Sequence, residues 1–212
     1  MSLNKIYLKN ETSFSTYIES WAGNNGIDTD FFYPSNRSEA THDLVFVGNL
    51  SYAPNIDAMQ WFAAHVLKHE PNWRLLIAGA NPSGSFIQSL KKYPNISVEG
   101  WQPDIRSAYA RGKVFIAPMQ IGTGMQNKLL EAMAMGIPCI TTPLASEALA
   151  VVSGEDLLVA RNEEEFLKHI RFLLNNQEKA KVIGLQGRTT VNKIYSWEGA
   201  ISALNTLLIP PR

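Results

Sequence analysis

A single doubly wound α/β domain, a mainly parallel Rossmann-like sheet with helices on both faces, is the fold this sequence predicts, and three observations predict it. From "DLVFVG" (residues 43–48) onward, apolar runs of strand length alternate with amphipathic helical segments, the pattern of repeated strand–helix–strand units. Three of the runs pass directly into glycine, at Gly48, Gly79 and Gly100, where a residue without Cβ lets the backbone turn sharply off a strand. With 45% hydrophobic and 18% charged residues in 212, the chain has enough apolar side chains to cover such a sheet on both faces.

In chain order, residues 1–42 are rich in Ser, Thr, Asn and Glu and hold no sustained period, so they read as a tail or connector to a domain spanning 43–212. The strands are expected at "LVFVG", "WRLLIAG", "ISVEG", "KVFIAP", "PCITT" and "LLVA". Between the first two, Met59, Phe62, Ala63, Val66 and Leu67 follow the i, i+3, i+4, i+7, i+8 spacing of one buried helical stripe. Asp104, after Pro103, is expected to cap the helix "IRSAYA". After the last strand, Asn162 precedes "EEEFLKHIRFLL", which places three acids in the first turn and turns Phe166, Leu167, Ile170, Leu173 and Leu174 inward. Two more helices follow, the last aligning Trp197, Ile201, Leu204 and Leu208 before "IPPR" stops it. No internal repeat is found.

Charge excludes some partners. Lys+Arg and Asp+Glu each total 19, so nothing draws the domain to nucleic acid or an anionic membrane, and an anion site must be local. The one cysteine, Cys139, lies in an apolar run and reads as core. No run approaches the roughly 18–20 apolar residues of a membrane span, and the N-terminus lacks a secretory signal. A cytoplasmic protein is the expectation.

The stretch "GTGMQNKLLEAMAMG" (residues 122–136) begins a helix with a lysine and no acid in its first turn. A helix N-terminus carries about half a positive charge and unpaired N–H groups, so Lys128 there invites an anion. Strand, glycine-containing turn and helix N-terminus together make a phosphate cradle in which Gly122 and Gly124 allow close backbone approach. In the helix, Met125, Leu129, Ala132 and Met133 form a buried stripe, and Asn127 and Glu131 share a polar face at i, i+4. A nucleoside diphosphate fits this pattern, with phosphates at the N–H groups and Lys128 and ribose hydroxyls on the two oxygens of Glu131. Against it stands a plain capping box, Thr123 with Gln126, and a solvated lysine. The partial glycine motif follows a late strand, and no acid ends the next strand "CITT", which argues against a dinucleotide site.

The segments "NGIDTDFFYP", "LVFVGNLSYAPNIDAMQWF", "LLIAGANPS", "VEGWQPDIRSAYA", "VFIAP", "GTGMQNKLLEAMAMGIPCITT" and "YSWEGAISAL" together resemble the C-terminal half of the group 1 (family 4) retaining glycosyltransferases of GT-B architecture. The likeness runs from about Asn25 to Leu208 and is closest to bacterial members of surface polysaccharide pathways. It implies a donor domain for a nucleotide sugar of the UDP or GDP type, with no cofactor and no bound metal. Lys128 and Glu131 are the implied catalytic residues. The implied donor-binding residues are Gly48, Asn49, Trp101, Gln102, Gly122, Thr123, Gly124, Met125, Gln126, Asn127 and Leu129. The resemblance further implies a glycan or lipid-linked acceptor held by an N-terminal domain that residues 1–42 would join, and leaves membrane-peripheral placement open for the full-length protein. The sequence departs from the family pattern at Asn49 and Pro54, where relatives carry Arg and Lys, and at Thr123, where they carry the first of two glutamates.

Other residues carry weaker signals. His65 and His69 have i, i+4 zinc spacing, but "HVLKH" lacks the glutamate of a metalloprotease helix and reads as a solvated face. Trp101, next to Gly100, is equally suited to stack on a base or to cover the sheet edge. Two functions from other classes stay open: a noncatalytic nucleotide-binding or scaffold module, and an NAD-dependent oxidoreductase domain.

Overall fold

The computed structural model describes residues 26–34, 40–122, 124–199 and 201. Six strands form one parallel sheet: β1 (His42–Val47), β2 (Leu75–Ala78), β3 (Ile96–Glu99), β4 (Gly112–Ala117), β5 (Cys139–Thr141) and β6 (Leu158–Val159). Their order is β3-β2-β1-β4-β5-β6, and every pair is parallel. All six expected strands are present. Leu44, Val45 and Phe46 of β1, and Val114, Phe115 and Ile116 of β4, are buried, because a parallel sheet covered on both faces has no solvent side on which polar residues could alternate.

The helices are α1 (Ala53–His65), α2 (Gly84–Leu90), α3 (Ile105–Ala110), α4 (Asn127–Ala134), the short α5 (Pro143–Ser146), α6 (Glu163–Asn175) and α7 (Gln177–Ile194). On one face α1 packs against α2 and meets α6, where Trp61 and Phe62 place their rings edge-on to Phe166. On the other face α3 meets α4, and α4 lies on α7. The stripe Met59, Phe62, Ala63, Val66 and Leu67 is buried as its spacing requires. The α-helix ends at His65, however, and a 3-10 turn, Leu67–His69, follows. His65 and His69 therefore share no α-helical face, and among the described residues no cluster could hold a metal ion.

Caps behave as their chemistry dictates. Asp104 accepts from the Arg106 N–H at 3.0 Å, and Asn162 accepts from the Glu165 N–H at 2.9 Å. On α6, Phe166, Ile170 and Leu173 are buried, while Leu167 and Leu174 are half-buried against the core.

Two differences from expectation stand out. Within residues 1–42, the stretch Gly26–Pro34 docks on the domain: the Ile27 N–H donates to Tyr195 O at 2.7 Å, and Ile27 is buried. Phe31 and Phe32 continue that contact, since apolar side chains so close to the domain gain by covering it. At the other end, Trp197 and Ile201 are more than half exposed, and the Trp197 ring lies over Gly26. Leu204 and Leu208 lie outside the described residues, as do residues 1–25.

No described helix is long and apolar enough to cross a membrane.

Candidate functional site

Reading the strand order outward, the chain moves from β1 through β2 to β3 on one side and from β4 through β5 to β6 on the other. The connections therefore diverge between β1 and β4, and the loops leaving the C-terminal ends of these two strands flank that point. Open α/β sheets bind ligands at such a switch point. One wall is Gly48–Asn49 after β1. The other is the loop from Pro118 to Gln126, which leads into α4.

The β1 wall is built by close backbone contact. Gly48 N–H donates to Ala78 O at 3.1 Å, and Leu50 N–H donates to Ala80 O at 2.8 Å. Gly79, at φ +147°, packs so near that an added Cβ would collide with Gly48 O. Asn49 turns its side chain back on its own loop, where Oδ1 accepts from Ser51 N–H at 3.0 Å and from Ser51 Oγ at 2.8 Å. Its carbonyl receives the buried Asn55 amide at 2.9 Å.

In the β4 wall, Gly122 and Gly124 have φ of +109° and +85°, conformations that side chains other than glycine rarely adopt. A Cβ on Gly122 would stand 3.5 Å from Pro54, so this loop passes over the start of α1 and the two walls meet. Met119 is anchored from the residue after β5: the Thr142 hydroxyl donates to its carbonyl at 2.8 Å, and the Thr141 hydroxyl at the end of β5 donates to Ala117 O at 2.9 Å. Thr123 lies outside the described residues.

Helix α4 begins at Asn127, with Gln126 at the N-cap, whose own side chain makes no capping bond. Gln126 is therefore not the third residue of a capping box started by Thr123, and that reading fails. Among the described residues the N–H groups of Asn127 and Lys128 meet no acceptor. Gln126 instead holds Lys128, accepting from its Nζ at 2.7 Å. The ammonium also faces Met119 Sδ at 3.8 Å and the Phe46 ring at 5.7 Å. Burial lowers its pKa from 10.5 to about 8, opposed by the nearby Glu131 carboxylate. A positive charge thus waits in an apolar setting at the end of a helix dipole, where an anion would relieve its desolvation.

One turn on, Glu131 is half-buried, and its carboxyl pKa is raised by burial and held back by a Tyr109 hydrogen bond and by Lys128. Tyr109 Oη donates to Glu131 Oε2 at 2.6 Å. Among the described residues Oε1 has no partner. Leu129, Ala132 and Met133 are buried, and Met125 is half-buried just before the helix. The Leu129 side chain is wholly in the core, as its place in the apolar stripe requires, and its N–H is given to Gln126 O at 2.8 Å. Asn127 stays exposed at the crevice.

Trp101 and Gln102 stand further off. They follow β3, three strand positions from β4, or about 14 Å along the sheet edge. Trp101 is 70% exposed, so it covers little of the sheet edge. Gln102 donates to Glu99 Oε2 at 3.2 Å and to Gly100 O at 3.3 Å. Glu99 in turn takes a two-point ion pair from Arg111 at 2.8 and 2.6 Å, which lowers its pKa. That acid, the one that ends a described strand, is thus already neutralised. The strand after β1 ends in Ala78–Gly79, with no acid for an NAD ribose.

The single parallel sheet flanked by helices defines a Rossmann-like α/β domain. The family model for glycosyl transferases group 1 matches residues 41–176, and the chain belongs to that family. A 44.6 kDa protein of the cps region of Klebsiella pneumoniae, itself uncharacterized, is 28% identical over 76% of this chain and 45% of its own length. The capsular polysaccharide biosynthesis glycosyltransferase CapM of Staphylococcus aureus is 26% identical over 90% of this chain and 55% of its own. The chain thus spans about half the length of these curated relatives. Among solved structures, sucrose-phosphate synthase from Thermosynechococcus elongatus superposes with TM-score 0.71 at 19% identity, over 92% of this chain and 55% of that one. Anabaena HepE in complex with UDP-glucose does so with TM-score 0.67 at 14% identity, over 86% and 54%. The C-terminal domain of the group 1 glycosyl transferase LpcC from Francisella tularensis gives 0.64 at 18% identity, over 81% of this chain and all of that domain. These likenesses establish the fold.

Sequence reasoning named Lys128 and Glu131 but not Tyr109, which bonds Glu131, nor Phe46 and Met119, which face Lys128, nor Thr142, which anchors Met119. The signals were thin: "RSAYA" and "LVFVG" read simply as core.

Proposed function

We propose that this chain is the donor-binding half of a retaining glycosyltransferase that moves a sugar from a UDP- or GDP-sugar to a glycan or lipid-linked acceptor in bacterial surface polysaccharide synthesis. One observation carries the reading: Lys128 and Glu131 stand about one turn apart on a helix that follows the glycine loop after β4 and has no side-chain cap among the described residues. The diphosphate would lie against the Lys128 ammonium and the first N–H groups of the helix, and the ribose against Glu131. As the glycosyl bond breaks, negative charge grows on the departing phosphate oxygen. Fixed donors already aimed there stabilise it by several kcal/mol, on the order of one oxyanion donor's effect. The acceptor would be held by a further domain of the full-length protein. UDP-glucose bound to HepE, a protein of the same fold, supports the choice of ligand class.

The test is calorimetry with UDP, GDP and NAD on the wild type, Glu131→Gln and Lys128→Ala. We expect UDP or GDP to bind and NAD not to, with a loss of about 1.5–3 kcal/mol in each variant. Undiminished affinity in both variants would remove the site. A second reading, nucleotide binding without transfer, is favoured by Asn49: the family resemblance implies an arginine there in many members, and this asparagine spends its side chain on Ser51. Turnover of a radiolabelled donor by the full-length protein separates the two.

A further inference from the structure

Asn55, in the first turn of α1, is 3% exposed, and its Oδ1 is buried without a hydrogen-bond partner among the described residues. An apolar side chain of the same shape would fill this space without leaving an acceptor unsatisfied. What distinguishes the amide here is its other atom. Nδ2 donates to Asn49 O at 2.9 Å and lies under Gly48, where an added Cβ would stand 2.8 Å from it. Tyr52 N–H reaches the same carbonyl at 3.3 Å, and Leu50 N–H, on the same peptide unit, goes to Ala80 O at 2.8 Å. With Asn49 Oδ1 taken by Ser51, the turn after β1 is held at both oxygens of Asn49.

The Asn49 N–H, by contrast, meets no acceptor among the described residues. The peptide that carries it is trans, so this N–H points opposite to Gly48 O. Gly48 O lies against Gly79, which follows β2. The N–H therefore points away from β2 and toward the β4 side of β1. There β4 has ended at Ala117, and the chain turns off as Met119 N–H bonds Ala117 O at 2.9 Å. A ladder donor is left without its rung, aimed at the switch point of the sheet.

We propose that the Asn49 N–H donates a hydrogen bond to the diphosphate of the nucleotide, a backbone donor where the family resemblance implies an arginine, and that Asn55 is the positioning residue that holds it. This rests on the nucleotide reading above. Once Asn49 O is released, the turn is free to rotate and the N–H loses its aim.

The first measurement needs no variant. In proton–nitrogen NMR spectra of the intact chain titrated with UDP, or with GDP if that binds more tightly, the Asn49 amide should move downfield and exchange more slowly with water, as an N–H does on meeting an anionic acceptor. Uridine, which has no diphosphate, should leave it in place. Asn55→Leu keeps the shape and removes both polar atoms. Because it loses one bond and relieves one unsatisfied oxygen, it should unfold at nearly the wild-type urea concentration, bind UDP about tenfold more weakly and bind uridine as wild type does. Shifts at Asn127 and Lys128 without one at Asn49 would overturn the proposal and leave the nucleotide reading standing. So would a folded Asn55→Leu protein with wild-type affinity for UDP, or one that loses UDP and uridine alike, the mark of a residue that only keeps the fold. If neither UDP nor GDP moves any amide of the chain, the nucleotide reading itself fails and this one falls with it.

Discussion

The ammonium of Lys128 lies 5.7 Å from the centre of the Phe46 ring, on the side of the sheet edge where the crevice opens. The ring face attracts the cation, but burial is the larger effect and brings its pKa down from 10.5 to about 8. Between about 8 and 10.5 the unfolded chain binds more protons at this residue, so this group makes the unliganded protein more stable as pH rises through that window. Nucleotide binding has the opposite sign. A diphosphate favours the charged lysine, so binding should take up a proton near pH 8–9 and weaken by up to about tenfold per unit above it. Calorimetry in buffers of different ionisation enthalpy measures that uptake. Lys128→Met should abolish it.

Gly79 and Gly48 meet backbone to backbone behind the β1 wall, and Gly79 holds φ +147°. A methyl group there faces both a strained dihedral and a carbonyl it cannot pass. Gly79→Ala should lower stability by about 2–4 kcal/mol. Gly84, in the first turn of α2 with open space around it, is the contrast: Gly84→Ala should be neutral or gain up to about 1 kcal/mol. Urea unfolding of both variants, with unchanged slope, checks the pair.

All six strands could be read from the sequence because a doubly covered parallel sheet writes itself as apolar runs, and "LVFVG" and "KVFIAP" are such runs. Lys128 and Glu131 were legible for a related reason, since helical spacing is local and puts them one turn apart. Tyr109 was not. Its hydroxyl meets Glu131 only after the chain has run through β4 and the glycine loop, and nothing in "RSAYA" distinguishes a phenol bound to a carboxylate from an ordinary core aromatic. Thr142 and Phe46 reach Met119 and Lys128 by the same kind of long-range closure. Leu129 lies inside the motif, and helix register turns its side chain into the core, as its place in the apolar stripe requires. The docked Gly26–Pro34 stretch was hidden by its polar neighbours.

Thr142 ties the loop to the sheet through its bond to Met119 O. Thr142→Val keeps the shape and leaves that carbonyl without its donor, which should cost about 1–3 kcal/mol of stability. Because Met119 also faces the Lys128 ammonium, nucleotide affinity should fall as well, and Thr142→Ser should restore both. Urea unfolding and calorimetry on the same samples read the two effects. A stability loss with unchanged affinity would mean that the loop keeps its course without this anchor.

Phe32 reaches the site from the docked N-terminal stretch. Its ring stands edge-on to Tyr109, and its neighbour Phe31 is held by Arg106, whose guanidinium lies 4.2 Å from the Phe31 ring and donates to Phe31 O at 3.1 Å. Because Phe32 is half-buried, Phe32→Ala should cost about 1–2 kcal/mol, less than a full core truncation. Asn162→Ala, which removes the cap of α6 on the opposite face, should cost about 1 kcal/mol. With stability losses so close, nucleotide affinity separates them: Phe32→Ala should bind UDP or GDP more weakly because Tyr109 loses a wall, whereas Asn162→Ala should bind like wild type. Equal affinities would show that the docked stretch lends the domain stability and nothing to the site.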